Sequence, residues 1–130
     1  MTHRAASRLV VLLLLAVAPA VDAADAGPFA ADPEFAKASA AFAAGQYAQA
    51  ASELARVLER YPRHPWLQML LADAYERAGQ LPAARDAYRA ARANTLDERS
   101  RAIATAAVDR LNWQIARQAA TTAPADQFAL

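Results

Sequence analysis

The chain has no cysteine, only three glycines and only two histidines. Without cysteine it has no disulfide framework, the usual support of a small exported domain with a thin core. It also lacks the thiol that a lipid anchor would need after a bacterial export signal. His64 is the sole histidine beyond the first stretch, whereas a zinc site takes three or four ligands. Placed between Pro62 and Pro65, it reads as a helix-capping or solvent-facing loop residue. Three glycines cannot build the phosphate cradle of a G-x-x-x-x-G-K-[ST] loop, and no serine sits in a G-x-S-x-G elbow. Lys37 is the only lysine, and the arginines are interleaved with Asp and Glu. That is the pattern of a solvated helix face, not of the basic stripe that displaces counterions from nucleic acid. Asp73 with Glu76 and Asp97 with Glu98 lie near one another. On helices such groups read as surface charge, since paired acid-base carboxylates need a pocket that separates their pKa values. The sequence thus calls for no cofactor, no metal ion, no nucleic acid and no catalytic residue.

What is present divides the chain. Arg4 and Arg8 precede an unbroken apolar run from Leu9 to Ala18, Pro19 ends it, and Val21-Asp22-Ala23 supplies compact residues. This is the layout of a secretory signal peptide over residues 1–23. The run is shorter than the roughly 20 apolar residues that span a bilayer. Losing Arg4, Arg8 and Asp22 takes the formal charge from +1 to zero, so the mildly basic balance belongs to the leader. A periplasmic or secreted protein is the expectation.

Beyond a linker at 24–31, Ala44-Gly45-Gln46 recurs as Ala78-Gly79-Gln80, an offset of 34 residues, and Ala50 recurs at the same phase as Ala84. Ala38 and Ala72 take a small-residue position in the first helix of each unit, and Ala50 and Ala84 one in the second. Gly45 and Gly79 fall where a residue without a Cβ ends a helix in the left-handed conformation. Pro62 closes the second helix of the first unit. Tyr75 and Tyr88 fill large positions of the second unit, and Leu54 matches Tyr88 in the first. On these residues the stretch 32–94 resembles two tetratricopeptide repeats, whose period is 34. Glu34, Lys37, Ala41 and Leu96 depart from the family pattern. An alanine-rich bundle with an accidental echo is the competing reading.

Local signals agree with an all-α chain, and no stretch alternates with period two. Asp32-Pro33 is an N-cap followed by proline at the first helical position. Apolar residues at helical spacing then predict helices over about Tyr47 to Arg60, Pro65 to Ala78 and Pro82 to Ala93. The third of the four repeat helices should turn Leu67, Leu70, Leu71, Ala74 and Tyr75 inward. Thr95 and Glu98 read as a capping box opening a long helix over 95–119. Its apolar face would be Ile103, Ala107, Leu111 and Ile115, and it would cap the short α-solenoid. Residues 120–130 read as a short mobile tail.

The resemblance implies a non-catalytic protein-interaction adaptor and an unidentified protein partner. The leader suggests an assembly factor of a bacterial envelope or secretion complex. Carried over by repeat phase, the family's groove positions are Phe35, Ser39 and Phe42 in the first unit. In the second they are Trp66, Met69, Asp73 and Glu76. Phe35 and Phe42 serve equally as plain core. Asp73 and Glu76 would form an acidic edge favouring a basic partner. Lys and Asn positions by which one subtype grips chaperone termini are held here by Phe35, Ser39, Met69 and Asp73, so that clamp is absent. Self-association, burying the end faces of a short array, is the rival function. A small hydrolase or a ligand-binding protein is a third. N-terminal sequencing of the exported protein should begin between residues 21 and 25, and intact Met1 in a membrane fraction would exclude the leader.

Overall fold

In the computed structural model, which describes residues 29–122, five helices follow one another and there is no strand among the described residues. They are α1 (Pro33–Ala43), α2 (Tyr47–Arg60), α3 (Pro65–Arg77), α4 (Leu81–Asn94) and α5 (Glu98–Thr122). The leader and residues 123–130 lie outside the described residues.

Why the chain starts and stops its helices is visible residue by residue. The Asp32 carboxylate accepts hydrogen bonds from the Glu34 N–H at 2.9 Å and the Phe35 N–H at 3.4 Å, and Pro33 fills the first helical position. This satisfies N–H groups that a helix start leaves without intrahelical partners. Arg60, at the end of α2, reaches back to both Asp32 and Glu34, the latter at 2.7 Å. It joins the first turn of α1 to the last turn of α2.

The first helix of each unit ends in the same turn. Gly45 has φ +76° and Gly79 φ +79°, the left-handed region that glycine enters without a steric cost. Gln46 N–H donates to the Ala41 carbonyl at 2.9 Å and Gly45 N–H to Phe42 at 3.1 Å. One period on, Gln80 N–H donates to Tyr75 at 2.9 Å and Gly79 N–H to Glu76 at 3.0 Å. This paired closure of the last carbonyls is a Schellman motif, and its repetition is the sequence period realised in backbone.

Each helix packs chiefly on its neighbours in the chain: α1 on α2, α2 on α3, α3 on α4 and α4 on α5. Ala38, Ala50, Ala72 and Ala84 are all at most 1% exposed, so the paired helices meet through side chains of one carbon. Leu54, Val57, Leu67 and Leu111 fill the spaces beside them.

Several expectations are corrected. Thr95 and Glu98 do not form a capping box. The Asp97 carboxylate caps α5, accepting from Ser100 N–H at 2.9 Å and Ser100 Oγ at 2.6 Å, while Glu98 turns to Arg101 at 2.8 Å. Thr95 instead ends α4 and accepts from Asp97 N–H at 3.3 Å. The buried face of α5 is Ala104, Ala107, Val108 and Leu111, and Ile103 is 50% exposed. An i, i+4 row drifts around a helix of 3.6 residues per turn, so the row from Ile103 to Ile115 could not stay on one narrow seam. Leu70 and Tyr75 are only partly buried. Phe29, assigned to the linker, is 1% exposed and sits edge-on to Tyr61 and His64, each at 4.6 Å. His64 does cap α3, its Nδ1 accepting from Leu67 N–H at 3.5 Å.

The alanine contact yields a direct test. Ala106 stands one period after Ala72 and is exposed, because among the described residues no second helix follows α5 to cover it. Ala72→Leu should overpack the α3–α4 crossing and cost about 1–3 kcal/mol. Ala106→Leu should stay within about 0.5 kcal/mol. Thermal unfolding of the two variants checks the difference.

Candidate functional site: the face shared by α1, α3 and α5

Side chains link the first helices of successive units into one continuous face. Phe35 on α1 lies 5.8 Å from the Trp66 ring on α3, centroid to centroid. The Arg77 guanidinium of α3 lies 5.4 Å from the Phe42 ring. On the other side, Glu76 of α3 is gripped by both terminal nitrogens of Arg110 on α5. Trp66, Met69 and Pro65 of α3 line a cleft of about 240 Å³ with Ala91, Thr95 and Ser100.

Of the residues expected on this face, Trp66 and Met69 are half-buried and open to the cleft. Phe35 and Phe42 are 4% and 9% exposed and belong to the core, so of the two readings open for them the structure supplies burial. The Ser39 hydroxyl is enclosed and has no hydrogen-bond partner among the described residues. The open apolar part of the face therefore lies on α3 and continues onto α5. Ile103 takes the position one period after Met69, and Ser100 the position one period after Trp66.

Nor do the two carboxylates form a free acidic edge. Asp73 accepts from Arg77 Nε at 3.0 Å. Glu76, besides Arg110, accepts from the Tyr88 hydroxyl at 3.3 Å. Arg110 holds the Glu76 carboxyl below the usual carboxylate range, partly opposed by burial. Burial first, then the Glu76 charge, pushes the Tyr88 hydroxyl up to about 12. Both groups thus have their charge settled inside the fold at neutral pH.

Beneath the face lies a polar tie that the sequence did not disclose. Gln68 is 5% exposed. It donates to the Pro62 carbonyl at 2.9 Å and accepts from Asn94 Nδ2 at 3.1 Å. One side chain therefore holds the inter-unit turn, α3 and the end of α4 in register, which sets where Trp66 sits. Ile103 was read as part of the buried face of α5, and Arg110 and Gln68 escaped sequence reading. For the first two a signal existed: the 34-residue phase carried one step past Gly79. The absence of a glycine at Trp113 concealed it.

Among the described residues no group of three His, Cys, Asp or Glu is placed to hold a metal ion. No described helix is long and apolar enough to cross a membrane.

Paired helices at a 34-residue spacing, each pair closed by the same glycine turn and packed on the next, define a helical repeat protein. The family model described as Tetratricopeptide repeat matches residues 35–98, and the chain belongs to that family. The repeats of this family mediate protein–protein interactions and are typically non-catalytic. Neither the curated proteins nor the solved structures gave a match.

The Glu76 pairing has a pH signature. A carboxyl with a depressed folded-state pKa adds stability that is complete above its ordinary value near 4.5. That stability drains away as pH falls through the depressed value. Glu76→Gln should destabilise the fold at neutral pH by less than about 1 kcal/mol, since the arginine of the pair is largely exposed to solvent,. The difference from the parent should close in acid. Thermal melts of both proteins between neutral pH and about pH 2, below the range in which ordinary carboxylates titrate, provide the measurement.

Proposed function

We propose that the chain is a non-catalytic adaptor or assembly factor of a bacterial envelope or secretion complex, working outside the cytoplasm. The family match supports the interaction role. The charged, apolar and small-residue order of residues 1–23 supports export, and export in turn supports the envelope setting.

The observation that carries the reading is the succession Trp66, Met69 and Ile103 on one face, open to solvent beside charges already paired within the fold. Apolar and aromatic anchors supply most of an interface's energy. A partner segment laid along such a face can bury them without stripping water from an unmatched charge. Because Asp73 and Glu76 are each met by an arginine, the partner gains little from basic residues here. That removes the preference for a basic partner read from the sequence.

Crosslinked pull-down from the periplasm, followed by mass spectrometry, should identify the partner. In calorimetric titration against it, Trp66→Ala should lose about 1–3 kcal/mol, the range of a truncated hot spot. Full affinity retained by both Trp66→Ala and Ile103→Ala would refute the assignment of this face.

A further inference from the structure

α5 has 25 residues and α3 only 13, so at 1.5 Å per residue α5 is about 37 Å long against about 20 Å. Its final turns overhang the turn between α3 and α4. The overhang leaves an open cleft of about 530 Å³ between the start of α4 and the exposed end of α5. Leu81 lies at its base and Trp113 and Arg117 on its wall. Trp113 is 61% exposed. The Arg117 guanidinium rests 5.0 Å from its ring centroid, a cation–π arrangement that fixes the charge beside the apolar surface.

The charges at this site do not balance. Among the described residues Glu76 is the only carboxylate lining the cleft, and Arg110 already holds both of its oxygens. No carboxylate among the described residues pairs with Arg117. Among the described residues the cleft thus carries one positive charge in excess next to an exposed indole and a leucine. We infer that it is a docking site for an acidic, apolar segment of a partner protein. An aromatic or aliphatic side chain would pack on Trp113 and Leu81, and an adjacent Asp or Glu would accept from the Arg117 fork, which presents several donors in a plane. The inference rests on the adaptor reading but not on the Trp66 face, so the two can fail separately.

The two tryptophans make the test selective. In a ¹⁵N-labelled exported chain the indole N–H signals of Trp66 and Trp113 can be assigned with Trp66→Phe and Trp113→Phe. The probe is the blocked peptide Ac-Gly-Leu-Glu-Phe-Glu-Leu-Gly-NH₂, with a second peptide carrying Lys in place of Glu. The Glu peptide should shift the Trp113 signal and leave that of Trp66 in place. Half-saturation should move about tenfold higher with the Lys peptide and with Arg117→Gln, the loss of roughly one charge-assisted contact. Arg117→Lys should recover part of the affinity. Equal shifts with both peptides, no shift at millimolar peptide, or a shift at Trp66 alone would overturn the inference. So would a Trp113 signal that moves with protein concentration, which means a second copy fills the cleft. A signal that moves on combining Asp126→Asn with Phe128→Ala, which means the chain's own end does, would overturn it equally.

Discussion

Ala38, Ala50, Ala72 and Ala84 leave almost no space between paired helices, and the rest of the molecule is arranged around that closeness. Leu54, Val57, Leu67 and Leu111, all fully buried, complete the core around these small residues. The same approach fixes how each first helix is rotated, hence which residues it turns to the shared face. Gly45 and Gly79 serve this contact from outside the core. By closing the first helix in a left-handed turn, they return the chain antiparallel within a few residues, so that the second helix lies against the first.

The array stops where this contact stops. At Trp113, where the period would place a third glycine, the chain stays helical. α5 therefore occupies the place of a first helix but, among the described residues, has no second helix to cover it. Ala106, exposed one period after the fully buried Ala72, is the direct consequence, and so is the overhang that carries Trp113 and Arg117. The features that end the solenoid and those that could receive a partner thus arise from one departure from the repeat.

Charge pairing gives the shared face its character. Asp73 with Arg77, and Glu76 with Arg110 and Tyr88, are matched within the fold. An exposed pair of this kind contributes little stability. Its larger effect is to remove free charge beside Trp66 and Met69, leaving apolar contact as what the face presents.

Taken alone, the sequence determined the two repeats, four of the five helices nearly to the residue, and both glycine turns. These depend on spacing between neighbours and on backbone conformations that few residues can adopt. It narrowed His64 to a helix cap or a solvent-facing loop residue, and the structure makes it the cap, its Nδ1 accepting from Leu67 N–H. Tertiary structure alone decided that Phe35 and Phe42 are buried and Ile103 exposed, because burial depends on what stands opposite a residue, and periodicity cannot tell a groove from a core. It alone paired Glu76 with Arg110, brought Gln68 to Asn94 and docked Phe29 on Tyr61 and His64. Those partners lie far apart along the chain, and only the packing of one helix on another brings them within reach of one another.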